Sequence, residues 1–201
     1  MKAIQTVVAL IALTSVLEFG KADCALGYTP KPDLAQQLEQ SQVSPAPEST
    51  NLFEQGVKKQ EQEDYTGAIA DYTEFLKTHP DRLEAYSNRG FSKAMLNDLK
   101  GAMIDFDRAI ELAPSNADVY NGRGNVNAMA GNLTASIRDF NRAIRCDRSF
   151  ADAYYNRAIS RHGIGDRRGA KVDLSQAAKL FQQQKDIGGY QQAREWIDKL
   201  K

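Results

Sequence analysis

Arginine and aspartate recur in this chain at a fixed interval. Arg89, Arg123 and Arg157 stand 34 residues apart, and so do Asp71, Asp105, Asp139 and Asp173. A planar guanidinium and a carboxylate suit bidentate, charge-assisted pairing, which strengthens when both groups leave water. Pairing Asp71 with Arg89, Asp105 with Arg123 and Asp139 with Arg157 uses every arginine of the set, giving a structural ladder. An anion site built on the same arginines is the alternative. The residues that serve catalysis elsewhere are sparse. His79 and His162 lie far apart, without metal-ligand spacing or a nucleophile between them. Cys24 and Cys146 are too few for a disulfide framework. Cys146 falls among apolar neighbours and reads as a buried, inert thiol, whereas Cys24 is placed to pair between chains in an oxidising compartment. Neither cysteine has the positioned base that a nucleophile needs. The sequence therefore implies no enzyme, no metal and no cofactor.

The interval belongs to a longer pattern. Asp64-Tyr-Thr-Gly-Ala-Ile-Ala-Asp-Tyr72 returns as Asp98-Leu-Lys-Gly-Ala-Met-Ile-Asp-Phe106, Asn132-Leu-Thr-Ala-Ser-Ile-Arg-Asp-Phe140 and Asp166-Arg-Arg-Gly-Ala-Lys-Val-Asp-Leu174. A strict period of this length marks a solenoid of stacked supersecondary units, none of which buries its apolar face alone. Taking the units as Ser49–Arg82, Leu83–Asn116, Ala117–Phe150 and Ala151–Gln184, the eighth place holds Gly56, Gly90, Gly124 and Ala158. The twentieth holds Ala68, Ala102, Ser136 and Ala170, and the twenty-seventh Phe75, Ala109, Ala143 and Ala177. Small residues at such places let helices approach closely. Tyr72, Phe106, Phe140 and Leu174, at the twenty-fourth place, are the apolar knobs between them. Asp81/Glu84, Ser115/Asp118 and Ser149/Asp152 are spaced as capping boxes for each unit's first helix. Asp64, Asp98, Asn132 and Asp166 can cap the second helices. Gly131, Gly165 and Asn97 suit a left-handed turn residue, while Glu63 does not, so a looser first turn is expected.

This pattern resembles the tetratricopeptide repeat, two antiparallel helices per unit. The closing proline of the family stands as Pro80 and Pro114, with Arg148 and Gln182 in its later places. The resemblance implies an all-α fold: a right-handed α-solenoid of four helix-turn-helix repeats with a C-terminal capping helix. It also implies a concave groove lined by the first helices. Carried onto this chain, the groove places are Phe53, Val57 and Gln60, then Ser87, Phe91, Ala94 and Met95. Repeat three contributes Asn121, Asn125 and Met129, and repeat four Tyr155, Ile159 and His162. Some of these residues touch the neighbouring repeat instead. One subgroup of the family grips a chaperone's terminal carboxylate with lysines, asparagines and an arginine. Asn125 and Asn156 match its asparagines, but Asn121 stands at a lysine place, which argues against such a clamp. The Asn-Arg-Gly style of Asn88–Gly90 is similar to bacterial, especially cyanobacterial, repeat proteins.

The ends read differently. Lys2, an apolar run over residues 3–17 and the small pair Gly20 and Ala22 indicate a signal peptide, 1–22, cleaved after Ala22. The alternative is an uncleaved anchor. Residues 23–48, with Pro30, Pro32, Pro45 and Pro47, form a linker that cannot bury a core. Within 185–201, Gly188-Gly189 precedes a helical face of Tyr190, Ala193, Ile197 and Leu200, with Trp196 beside it, suited to capping the apolar end of repeat four. Basic and acidic residues balance at 26 each, but unevenly. Repeat one holds four basic and seven acidic residues, repeat two four and five, repeat three five and three, and repeat four six and three. Without aromatic interleaving the arginines do not indicate nucleic acid. The expected function is a protein-interaction module exported to the periplasm or thylakoid lumen, with no stable membrane span after cleavage. It would hold a partner's peptide or helix of unknown identity. Self-association along the charge gradient is the alternative.

Overall fold

The computed structural model describes residues 47–200, to which the signal, the start of the linker and Cys24 do not belong. Those residues form helices and connecting turns, with no strand among them. The order is α1 (Pro47–Glu61), α2 (Tyr65–Thr78), α3 (Leu83–Met95), α4 (Leu99–Leu112), α5 (Ala117–Met129), α6 (Leu133–Cys146), α7 (Ala151–Gly163), α8 (Arg167–Gln184) and α9 (Ile187–Lys199). Helix α1 starts at Pro47, inside the segment expected to be linker. Proline suits a first helical position, where its missing N–H costs nothing. Each helix packs on its neighbours in the chain, and α1, α3, α5 and α7 also touch in sequence. The result is a helical repeat solenoid whose odd-numbered helices form one face.

The core is periodic because the sequence is. Tyr72, Phe106, Phe140 and Leu174 are buried, and Ala68, Ala102, Ser136 and Ala170 are wholly inaccessible. The eighth place follows the size of the knob it meets. A Cβ on Gly124 would lie 2.6 Å from the Phe140 ring, and one on Gly56 2.7 Å from the Tyr72 ring. Ala158 is accommodated in the repeat whose knob is the smaller Leu174. Phe75 takes the twenty-seventh place of repeat one without disturbing it, buried and stacked on His79 with ring centroids 4.2 Å apart. Ser136, the one hydroxyl at the twentieth place, is satisfied by Ser160 of the next repeat at 2.8 Å.

Caps divide the two helix sets. Asp64, Asp98 and Asp166 accept from the amides of Gly67, Gly101 and Gly169 at the starts of α2, α4 and α8. Asn132 makes no such bond. The expected capping boxes of the first helices are not present. Their N-caps are Arg82, Asn116 and Phe150, one residue later, and only Asn116 caps through its side chain. Nor is the first turn looser. Glu63 takes φ 61°, beside 63° at Asn97, and the Asp64 amide reaches the Lys59 carbonyl at 2.8 Å as Asp98 reaches Lys93 at 2.9 Å. Glu63 thus bears left-handed strain that Gly131 and Gly165 escape. Cys146, expected as a buried thiol, is half-buried at the end of α6 and disulfide-bonded.

Candidate functional site: an apolar groove on a charged frame

The arginines and aspartates do meet, in a different register from the one expected. Each arginine pairs within its own repeat, not with the repeat before. Arg89 donates to Asp105 through Nε (3.0 Å) and Nη2 (2.6 Å), Arg123 to Asp139 (3.1 and 2.6 Å), and Arg157 to Asp173 (2.8 and 2.6 Å). The remaining Nη1 of each reaches the second helix of the preceding repeat, at Thr73, Asp107 and Asn141. One guanidinium therefore ties three helices. Every aspartate also has a second partner one turn along: Lys93 for Asp105, Asn127 for Asp139 and Arg161 for Asp173. Repeat one has Gln55 at the arginine's place. Its Asp71 has Lys59 at 2.7 Å, although Oδ2 lacks a hydrogen bond of good geometry. For Arg123, burial pulls the pKa down, and the bonds and charges of Asp139 and Asp107 more than reverse it. With their fork filled on three sides, these arginines hold the frame and offer no open anion site.

Along the odd-helix face the frame presents a cavity of about 420 Å³. Phe91, Met95, Asn125 and Met129 line it, above a floor of Ala94, Phe106 and Val126. Phe91, Met95 and Met129 are 44%, 49% and 53% exposed, and unlike singly exposed apolar side chains such as Ile104 and Ile187 they gather round one cavity. The floor is open because Gly122 carries no side chain over Phe106, a contribution that the repeat pattern alone did not reveal. Asn125 is exposed, and among the described residues its side chain makes no hydrogen bond, so its amide is available as donor and acceptor. Asn121 is occupied, accepting from Asn156 at 3.1 Å. Phe91 is shared with a second cavity, about 390 Å³, lined by Val57, Gln60, Glu61, Glu63, Tyr65 and Asn88. The Tyr65 ring meets Phe91 edge-on at 6.2 Å. Ser87 is half-buried, and its Oγ lacks a partner.

Three expected groove residues stand elsewhere. Phe53 packs on Tyr72 and Phe75, centroids 5.7 and 5.4 Å away, so it belongs to the core of repeat one. Tyr155 and His162 are covered at the other end by Trp196 of α9. The indole packs with Tyr155 against the core of repeat four and meets the His162 ring edge-on at 5.6 Å. Burial raises the Tyr155 pKa, the neighbouring Trp196 indole opposing it. Ile159, between them, is half-buried. The open groove thus runs over repeats one to three. Among the described residues no cluster could hold a metal ion, and no helix is long and apolar enough to cross a membrane.

Paired helices repeated in register, with one face left open and apolar, define a helical-repeat solenoid. The tetratricopeptide repeat profile matches residues 53–117 and 105–152, and the chain belongs to that family. Among solved structures, it is similar to MamA at 23% identity and TM-score 0.59, covering 76% of this chain and 85% of MamA. YrrB, described as a TPR protein with an unusual peptide-binding site, is 21% identical with TM-score 0.61, covering 93% and 88%. The first TPR of Spaghetti, bound to the HSP90 peptide SRMEEVD, is 22% identical with TM-score 0.56, covering 58% and 93%. No curated protein matches the chain in sequence.

Proposed function

We propose that this protein is a non-enzymatic interaction module that holds a segment of a partner protein in the groove over repeats one to three. The observation that carries this is the cavity of Phe91, Met95 and Met129, half-exposed side chains on rigid helices with an unbonded Asn125 beside them. Sulfur and aromatic surfaces adapt to an apolar side chain, and the amide fixes a backbone. Structural neighbours that bind peptides support the same reading. We place the protein outside the cytoplasm. The apolar run of residues 3–17 supports export, to a compartment such as the periplasm or a thylakoid lumen. The test is capture from an extracytoplasmic extract with the native chain and with a folded Phe91→Ala, Asn125→Ala, Met129→Ala variant. A protein retained by the first and lost by the second supports the groove. Identical captures, or only copies of the chain itself, reject it and favour self-association.

A further inference from the structure

The two cavities that meet at Phe91 differ in polarity along the groove. The one over repeats two and three is apolar and carries no charged residue in its lining. The one towards repeat one holds Glu61 and Glu63, and no lysine or arginine lines either. Both carboxylates are exposed, and neither takes part in an ion pair among the described residues. Of the two adjoining lysines, Lys59 is engaged by Asp71 at 2.7 Å, and Lys58 is exposed on α1 outside the lining. A segment seated here therefore meets apolar surface and then a lining whose charged groups are carboxylates alone. Like-charge contact would exclude an acidic segment, and opposite charge steers and selects.

From this gradient we infer the chemistry of the occupant: a segment with one apolar anchor side chain, followed towards repeat one by lysine or arginine. The anchor sits between Met95 and Met129 over Val126, and the basic side chain reaches Glu61 and Glu63 past Phe91. The inference rests on the groove reading above and adds polarity and direction to it. The charge is the reverse of that of SRMEEVD, the acidic peptide held by the Spaghetti repeat. It also accounts for a groove without the lysines of a carboxylate clamp.

A random peptide display library, panned on the full chain and counter-panned on a Met129→Lys variant with an unchanged helical spectrum, tests both levels. The expected result is a set of peptides lost on Met129→Lys, sharing an apolar residue with lysine or arginine on one side. Synthetic copies should bind about tenfold more weakly to a Glu61→Lys, Glu63→Lys variant, and weaken as salt rises. The peptide SRMEEVD should not compete with them. Groove-dependent peptides with neutral or acidic flanks would overturn the inferred polarity and leave the groove standing. Peptides indifferent to Met129→Lys, or none at all, would overturn the groove reading itself.

Discussion

Replacing Arg123 by leucine isolates what one rung of the ladder does. Its removal deletes two bonds to Asp139 and one to Asp107. Asp139 is buried and keeps only the neutral amide of Asn127. Stranding a buried carboxylate costs about 3–5 kcal/mol. Since Arg123 is a quarter exposed and one bond survives, we expect the lower end, about 3 kcal/mol. The other rungs are internal controls. Arg89→Leu leaves Asp105 with Lys93 at 2.7 Å, and Arg157→Leu leaves Asp173 with Arg161 at 2.8 Å. Each arginine also covers a tyrosine ring, Tyr86, Tyr120 or Tyr154, at 5.3 to 5.8 Å, so that contribution cancels in the comparison. Those two variants should lose about half as much, roughly 1–2 kcal/mol. Followed by circular dichroism, Arg123→Leu should lower Tm by about 6–12 °C and the controls by less than half of that. Adding Asp139→Leu should restore most of the loss, since removing both charges of a buried pair is often nearly neutral. Equal shifts in all three variants, or no rescue by the double substitution, would refute the reasoning.

Other substitutions read other features. Glu63→Gly should stabilise by about 1 kcal/mol in urea unfolding, by relieving the left-handed strain of the first turn. Gly124→Ala should destabilise by about 1–2 kcal/mol despite its better helix propensity, because the new methyl meets the buried Phe140 ring; the urea midpoint reports it. Partial desolvation of this exposed side chain, with the charges of Asp186 and Asp118, raises the Asp152 pKa. The folded state thus disfavours its ionised form, and protonation relieves the penalty as pH falls. Asp152→Asn should therefore melt higher than the native chain at pH 7, the gap closing below about pH 4, the unfolded value.

The repeat period, the knobs and the small places facing them were legible because each is written four times, and chance does not repeat in register. The partners of the arginines were not. Arg89 lies 16 residues from Asp105 and 18 from Asp71, and either spacing joins two facing helices. Only the crossing of α3 over α4 chooses between them. The first-helix caps failed by one residue for a related reason: capping depends on where the chain leaves extended geometry, and Arg82 and Phe150 do so without a side-chain bond. In the groove, Phe91, Met95, Asn125 and Met129 followed from family places. Trp196 over Tyr155 did not, because a contact between α7 and α9 has no local sequence signal.

The third hydrogen bond of each arginine gives the solenoid a direction of opening. Arrays of this kind behave as chains of units whose cohesion lies in the junctions between neighbours. Arg123 joins repeats two and three through a carboxylate and Arg157 joins three and four through an amide, but Arg89 reaches only the hydroxyl of Thr73. Repeat one, with Gln55 in the arginine's place, adds no rung of its own. Fraying should therefore begin at α1 and α2 and stop at the carboxylate junction, so amide hydrogens of the first repeat should exchange with solvent long before those of α5 and α6. The acidic end of the proposed groove lies on the repeat expected to open first, so a segment bound there should slow amide exchange in α1 and α2.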